Sequence, residues 1–426
     1  MLRVLPKIRL LQVGDVHLPS AAEKPPFVDQ KDSAFPVGLR TVISRTPLKT
    51  VFLRIFELLN EQRAHCVLFM GDLTDVGRLD GYKACARYIA NALQIGAAGK
   101  LSATPVGIVP GNHDVDRKLA LKPGFESKFH PLVDALRSAG LPEIPVRDPR
   151  RIVVQDGSAT ADIYLLNSCW GCGESEFIPD DFRKPIADAI EKVLSGTDPK
   201  VLNAYYNQQL DTPAFSIDGI SKLLDLVGQR TPTALPVVVA HHNLLPQRMP
   251  RLAAYTELIN SGALRSSLLE LGRPVIYLHG HIHDDPVEIV TAWNRTPLIV
   301  VSAPEAAHGF NLIEVTFNRL GLPVTTKISP YRFDGSGVLK PGAPLKVPMA
   351  GGRRRSDGPS IGALYRKLLE HRECYWQDVV TLGNTLTPPV SGEDLVETIE
   401  LLSSDGSIQI VNDDLQPEHW IVKAEI

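Results

Sequence analysis

Five short clusters in the sequence carry side chains that can bind metal ions or move protons. They are Asp15-Val16-His17, Asp72-Leu73-Thr74-Asp75, Asn112-His113-Asp114, His241-His242 and His281-Ile282-His283. Nitrogen and oxygen donors of this kind suit divalent Mn, Fe or Zn, whereas softer ions require thiolates. Seven of these residues form the candidate ligand set: Asp15, His17, Asp72, Asn112, His241, His281 and His283.

This set exceeds what one small ion needs, so we expect two divalent ions that share one carboxylate. Two ions about 3.5–4 Å apart can stabilise an in-line displacement at phosphorus. Coordination also lowers the pKa of a bound water toward ~7, which supplies the nucleophile. The spacing fits, because residues i and i+2 of an extended chain face the same side. Both side chains of the pair Asp15 and His17 can therefore point toward one metal centre, and the same holds for His281 and His283.

Each cluster follows a short run rich in Val, Ile and Leu. The runs IRLLQV, HCVLFM, TPVGIV, LPVVVA and RPVIYL are typical of strands buried on both faces. Amphipathic helical patterns such as LKTVFLRIFELLNEQ lie between them. Alternating strands and helices predict an α/β sheet, whose ligands collect at the carboxyl ends of the strands. We therefore expect the five clusters to meet at one place.

The pattern changes after about residue 290. The segments TPLIVVSAP, GFNLIEVTF and LPVTTKISPYRF have no helical pattern between them, which predicts antiparallel strands that close a second sheet. Residues 117–150 and 170–232 are long, partly helical excursions, which we interpret as insertions over the site. These segments complete a predicted catalytic domain of residues 1–333.

A separate C-terminal unit is predicted beyond this domain. Residues 334–360 are rich in Gly, Pro and Ser and are predicted to form a linker, and residues 361–426 a small, winged-helix-like α+β domain. From Gly351 onward the sequence has 7 Lys and Arg against 13 Asp and Glu. This acidity argues against DNA binding and favours a role in packing or in binding a protein partner.

The bulk composition excludes several classes of protein. A net charge of −3 gives no general attraction to nucleic acids or anionic membranes. No apolar run approaches the roughly 20 residues of a membrane helix, and the N-terminal run is typical of a strand, so we expect a cytoplasmic protein.

The cysteines give no sign of a disulfide framework or of a metal site. Cys169 and Cys172 form a CxxC pair, but a structural zinc site requires a second pair, and Cys66, Cys85 and Cys374 are scattered. We therefore interpret the pair as loop thiols without a special role.

The ordered motifs resemble a known family. In sequence order they are D-x-H, G-D-x-x-D, G-N-H-D, H and G-H-x-H over about residues 8–318. This set resembles the calcineurin-like metallophosphoesterases, and is most similar to their bacterial branch related to class III cyclic-nucleotide phosphodiesterases. The resemblance implies a four-layer α/β/β/α sandwich.

The resemblance also implies a role for each site residue. One metal would be held by Asp15, His17 and His283, the other by Asn112, His241 and His281, with Asp72 between them. His113 would protonate or stabilise the leaving oxygen, and Asp114 would hold the His113 ring. His241 is favoured over His242 as the ligand because it directly ends the strand. Asp75 matches a family position that does not bind metal.

The resemblance favours a diester as substrate. Protein phosphatases of this family carry two arginines that grip a monoester, where this chain has Val76 and Pro110. We expect a small phosphodiester, such as a cyclic nucleotide. A nuclease of the same family would require a basic channel, which the near-neutral charge does not support. A non-catalytic metal-binding sensor or scaffold would show broken ligand motifs, and none is broken.

Overall fold

The computed structural model describes most of the chain, and every structural statement below concerns that part. It covers residues 5–18, 47–75, 77, 79–122, 124–174, 180–196, 198, 200–201, 212–246, 257–283, 286–291, 296–349 and 359–424. Val76, which entered the substrate argument above, lies outside these residues.

The first sheet holds the strands that precede three of the five clusters. Its strands are β1 (Lys7–Val13), β2 (Cys66–Phe69), β3 (Val106–Ile108), β10 (Gly309–Phe317), β11 (Pro323–Phe333), β12 (Leu339–Pro341) and β13 (Leu345–Pro348). They follow the order β12-β11-β10-β1-β2-β3, and β13 also pairs with β11. Strands β1, β2 and β3 run parallel, whereas β10 to β13 pair antiparallel.

The second sheet holds the strands that precede the two histidine clusters. Its strands are β4 (Arg150–Asp156), β5 (Ala159–Leu165), β6 (Leu235–Val239), β7 (Val275–His279), β8 (Val287–Thr291) and β9 (Pro297–Ser302). Their order is β4-β5-β6-β7-β9-β8, with a parallel centre and antiparallel edges.

The expectation for the strands after residue 290 is corrected by this topology. Strand β9 runs parallel to β7, and β10 and β11 extend the first sheet beside β1 instead of closing a separate one. The reason is that β2 pairs with one edge of β1 and leaves the other edge open. Strand β10, much later in the chain, pairs with this open edge. Apolar pattern identifies a strand but does not identify this distant neighbour.

Helices cover the outer faces of the two sheets. They are α1 (Leu48–Asn60), α2 (Leu79–Leu93), α3 (Arg117–Ala120), α4 (His130–Ser138), α5 (Asp180–Leu194), α6 (Ile217–Gly228) and α7 (Ser261–Glu270). One apolar core lies between the first sheet and α1, α2 and α4, a second between the sheets, and a third beneath α6 and α7. The predicted four-layer α/β/β/α sandwich is therefore confirmed.

Alternate side chains of strand β1 pack into two different apolar cores. Ile8 and Leu10 pack between the sheets, whereas Leu11 and Val13 pack against the helical layer. Successive side chains of a strand point to opposite faces, so both faces of a central strand must be apolar. This explains the near-continuous apolar runs.

A polar bridge interrupts the core between the sheets close to the clusters. The fully buried Gln12 of β1 donates from Nε2 to the carbonyl oxygens of His279 (3.1 Å) and Val301 (2.8 Å) on the second sheet. Its Oε1 accepts from Asn311 Nδ2 (2.9 Å), which also donates to the Ser302 carbonyl (2.9 Å). The bridge thus fixes the two sheets to each other just before the chain reaches Asp15.

The C-terminal unit has the predicted α+β character. It contains α8 (Pro359–His371), β14 (Glu373–Tyr375), α9 (Trp376–Asn384), α10 (Gly392–Ser404), β15 (Gln409–Val411) and β16 (Ile421–Lys423), with strands in the order β14-β16-β15. Helix α9 and strand β14 were not predicted from the sequence. The six elements follow a helix–strand–helix–helix–strand–strand order, which fits a winged-helix-like unit.

This unit docks on the first sheet through α10 and an ion-pair network. Lys327 of β11 lies 2.8 Å from Asp413, and Lys346 of β13 lies 3.0 Å from Asp413 and 3.7 Å from Glu400. Strands β12 and β13 fall within residues 334–360, where the sequence analysis placed a linker. Both strands pair with β11, so the first sheet continues through Pro348.

Within the described residues, no helix has the length and apolar character that crossing a lipid bilayer requires.

The polar bridge should contribute measurably to stability. Gln12→Met keeps the volume but removes both hydrogen bonds to the second sheet, so we expect a loss of about 2–3 kcal/mol in the free energy of unfolding. Urea denaturation measures it. Gln155→Met, at an exposed position of β4, is the matched control and should stay within about 0.5 kcal/mol. Equal effects of the two substitutions would contradict a special role for the bridge.

Candidate metal centre

The five clusters lie where the carboxyl ends of the two sheets meet. Strand β1 leads to Asp15, β2 to Asp72, β3 to Asn112, β6 to His241 and β7 to His281. Parallel strands end at the same edge of a sheet, so residues far apart in sequence come together. Asp15, Asp72 and His241 are almost completely buried there.

One group of ligand atoms consists of Asp15, His17 and His283. Their ligand atoms lie within 4.8 Å of one another. His283 Nε2 is 2.8 Å from Asp15 Oδ2 and 3.4 Å from His17 Nε2. These contacts bring together the three residues that the resemblance assigned to one metal.

A second group surrounds His241. Its Nε2 is 2.9 Å from Asn112 Oδ1 and 3.3 Å from Asp72 Oδ2. His281 Nδ1 lies 3.2 Å from the same Asn112 oxygen. Asp72 Oδ2 is also 4.0 Å from His17 Nε2, so this carboxylate lies between the two groups.

The neighbouring imidazoles of His241 and His242 face different surroundings. His241 Nδ1 lies 2.8 Å from the carbonyl oxygen of Met70, which fixes the ring with Nε2 toward Asn112 and Asp72. His242 Nδ1 lies 2.9 Å from Ser168 Oγ. His241 thus contacts the two predicted ligands Asn112 and Asp72, and the ligand atoms of His241, His242 and His281 lie within 4.8 Å of one another.

Two glycines allow the backbone to approach the carboxylates. A Cβ at Gly111 would meet Asp72 Oδ1 at 2.0 Å, and a Cβ at Gly280 would meet Asp15 Oδ1 at 2.4 Å. Four ligand candidates themselves have left-handed φ values, between 43° and 68°: His17, Asp72, His281 and His283. Such conformations cost roughly 1–2 kcal/mol each, and this strain clusters at functional sites.

His113 and Asp114 each contact the backbone of the loops around the site. The Asp114 carboxylate accepts from the backbone N–H groups of Leu73 (3.0 Å), Thr74 (3.3 Å) and Gly111 (3.0 Å), so it organises two loops. His113 Nδ1 lies 2.9 Å from the carbonyl oxygen of Asp75. The Asp75 carbonyl oxygen thus faces one ring nitrogen of His113, and the Asp114 carboxylate holds the backbone on both sides of the site.

Two supporting residues were missed by the sequence analysis. Glu305 Oε1 lies 2.9 Å from His283 Nδ1, and a carboxylate on that nitrogen fixes the ring of a metal-binding histidine. The buried Arg117 donates from Nη2 to the Asn112 carbonyl oxygen at 2.6 Å. Glu305 lies three residues after the end of β9, so its place after a strand end was the available signal; Arg117 offered none.

The electrostatics of the site favour cation binding. Burial disfavours charge on His241 and His283, yet the carboxylates of Asp72, Asp15 and Glu305 raise the pKa of His241 to about 9 and that of His283 to about 10. Burial opposes ionisation of Asp72, but His241, His113 and His17 hold its pKa well below the usual range.

These carboxylates therefore favour positive charge around them. Buried carboxylates, imidazoles and an amide oxygen are also the hard and borderline donors that divalent Mn, Fe and Zn prefer. The residues present thus fit a metal centre.

Comparisons with solved structures find remote similarity. A dimetal phosphatase from Danio rerio is 11% identical, with a TM-score of 0.42 over 81% of this chain and 100% of that one. GAP50 of Plasmodium is 11% identical, with a TM-score of 0.41 over 81% and 89%. A 5′-nucleotidase precursor from Thermus thermophilus is 17% identical, with a TM-score of 0.38 over 76% and 54%.

Sequence comparison gives a more specific result. No curated protein matches the chain. The family model described as calcineurin-like phosphoesterase matches residues 8–285, which is more than half of the sequence and includes all five clusters. The chain therefore belongs to the calcineurin-like phosphoesterase family.

Proposed function

We propose that this protein is a phosphodiesterase that works with two divalent metal ions. The observation that carries the proposal is the position of Asp72, whose Oδ2 faces His241 on one side and His17 on the other. One ion would be held by Asp15, His17 and His283 and the other by Asn112, His241 and His281. Two bound divalent ions supply Lewis acidity that activates water and offsets the charge of the phosphoryl oxygens.

His113 is the group proposed to move a proton to the leaving oxygen. The Asp75 carbonyl can only accept a hydrogen bond, so His113 Nδ1 carries a hydrogen and the second, exchangeable proton resides on Nε2. The ring also packs edge-on against His17, with centroids 4.9 Å apart. His113 thereby lies next to one of the two ligand groups, where a leaving group would need a proton.

The remaining residues hold these groups in place. Asp114 fixes the loops that carry Asp72 and Asn112, Glu305 orients His283, and Arg117 holds the Asn112 carbonyl. Positioning of this kind matters because a displacement of about 1 Å at a reacting group can reduce the rate about 100-fold.

A small phosphodiester is the proposed substrate. Cyclic nucleotides are the first candidates, because the motifs resemble those of class III cyclic-nucleotide phosphodiesterases. Residue 110, directly before Gly111 and Asn112, is a proline. This position therefore offers no arginine side chain to bind the doubly charged phosphate of a monoester, which favours a diester. A nuclease remains the alternative. It receives no support from the net charge of −3.

A protein partner for the C-terminal unit stays a proposal that rests on its acidity. Helix α10 and Glu400 pack toward Lys346, so only the other faces of this unit are open to a partner.

Removal of the shared carboxylate should abolish turnover. For Asp72→Asn we expect hydrolysis of bis(p-nitrophenyl) phosphate, in protein reconstituted with Mn²⁺, to fall at least about 100-fold, because a ligand contributes more than the supporting residues around it. The exposed Asp80→Asn at the start of α2 is the control and should retain full activity. Wild-type protein that is folded and metal-loaded yet inactive on any diester would refute the proposed function.

Substitution of His113 should affect poor leaving groups most. His113→Gln is expected to lower kcat for an alkyl diester by about 10²–10⁴-fold and for a p-nitrophenyl diester far less, since p-nitrophenolate needs no proton. Metal content should be unchanged. His371→Gln, in the C-terminal unit, is the matched control. A loss that is equal for both leaving groups would argue for a structural role of His113.

A further inference from the structure

The loop after β5 brings the two thiols of the CxxC pair together. Cys172 N donates to the Cys169 carbonyl oxygen at 3.0 Å, which closes a tight turn. Both cysteines are fully buried. The sequence alone offered no further donor for this pair, and the structure provides one.

The third donor is His242, which follows β6. The two sulfur atoms and a His242 nitrogen lie within 4.8 Å of one another, and Nδ1 is 3.9 Å from Cys169 Sγ. His242 is also fully buried. The sequence suggested His242 only as an alternative to His241 in the candidate metal centre. Its contact with Cys169 gives it a different possible role, as a ligand beside the two thiols.

A buried ammonium group holds this loop in shape. Lys128 Nζ donates to the carbonyl oxygens of Trp170 (2.7 Å) and Cys172 (2.8 Å) and to Glu174 Oε1 (2.7 Å). The Lys128 side chain is completely buried, and burial of a charged group is unfavourable unless its hydrogen bonds are satisfied. The turn that carries the thiols is therefore fixed by bonds that do not involve the thiols.

The hydrogen bonds of Ser168 indicate which nitrogen of His242 carries a lone pair. Ser168 Oγ accepts from the His242 backbone N–H at 3.1 Å and lies 2.9 Å from Nδ1. With that acceptance satisfied, the hydroxyl hydrogen is available to donate to Nδ1. In that arrangement Nδ1 is the ring nitrogen without a hydrogen, and a metal ion at Nδ1 would replace the Ser168 hydroxyl hydrogen as the partner of its lone pair.

We propose that Cys169, Cys172 and His242 form a binding site for Zn²⁺ that adjoins the N- and O-donor centre. His242 links the two sites, because its ligand atom also lies within 4.8 Å of those of His241 and His281. Two thiolates and a neutral imidazole are a donor set that selects Zn²⁺, and CxxC is a common chelating spacing. Binding releases the two thiol protons to solvent, including the proton that Cys169 shares with the Pro110 carbonyl oxygen at 3.3 Å. The proposal does not depend on the proposed function.

The ion would fasten the loop of residues 168–174 to the strand ends that carry the candidate centre. His242 adjoins His241, and Pro110 is two residues before Asn112. Bound Zn²⁺ would thus hold His241 and Asn112 of the candidate metal centre in position.

Cobalt spectroscopy of the full chain tests the site directly. Protein stripped of metal under reducing conditions is titrated with Co²⁺, whose thiolate complexes absorb in the near ultraviolet while its nitrogen and oxygen complexes do not. We expect this absorption to reach the amplitude of one thiolate-bound Co²⁺ per chain in the wild type, and to do so as well in Asp72→Asn. It should vanish in Cys172→Ser, and His242→Gln should weaken Co²⁺ and Zn²⁺ affinity by at least about 10–100-fold.

Controls separate this result from misfolding and oxidation. Cys374→Ser removes a buried thiol of the C-terminal unit and should leave the absorption intact. Far-ultraviolet circular dichroism shows whether each variant is folded. Absence of thiolate absorption in folded protein, whose five thiols are all counted as reduced after denaturation of the same sample, would overturn the proposal. A Cys169–Cys172 disulfide, detected as a mass lower by two hydrogens in freshly reduced and rebuffered protein, would also overturn it.

Discussion

Negative charge buried where the two sheets meet is the constraint on which this structure depends. Asp15 and Asp72 are 1% and 2% exposed, and both face His241. Carboxylates in such a place are stable only beside positive charge or strong hydrogen-bond donors. The imidazoles, the left-handed backbone at Asp72 and the close approach of Gly111 and Gly280 all serve this requirement.

Most of the fold and the main outline of the site follow from local pattern. Central strands buried on both faces produce apolar runs, and the polar residues after them must lie at one edge, so the sequence predicted the grouping of Asp15, Asp72, Asn112 and His241. The pairing of β10 with β1 could not be predicted, since it depends on which edge is left open in three dimensions. The same holds for β12 and β13, whose Gly- and Pro-rich surroundings resemble a linker.

Roles that depend on side-chain direction were harder to predict than membership of the site. Asp114 is adjacent to His113 in sequence, but its carboxylate turns toward the backbone of Leu73, Thr74 and Gly111. The carbonyl oxygen of Asp75 lies against the His113 ring, and contacts of backbone carbonyl groups cannot be predicted from a sequence pattern. His242 and the CxxC pair show the same limit, because their proximity arises only from the neighbouring positions of β5 and β6.

The Gln12 bridge has a consequence for how the sandwich holds together. The first sheet carries Asp15, Asp72 and Asn112, and the second carries His241, His281 and His283, so each proposed ion would join the sheets just as the bridge does. The two sheets would then be connected near the site in two ways, by the amide hydrogen bonds of Gln12 and Asn311 and by the proposed metal ions. Without metal, the apolar core and the Gln12 bridge would still hold the sheets together, and the strand ends at the site would keep only hydrogen bonds such as that between His241 Nδ1 and the Met70 carbonyl oxygen.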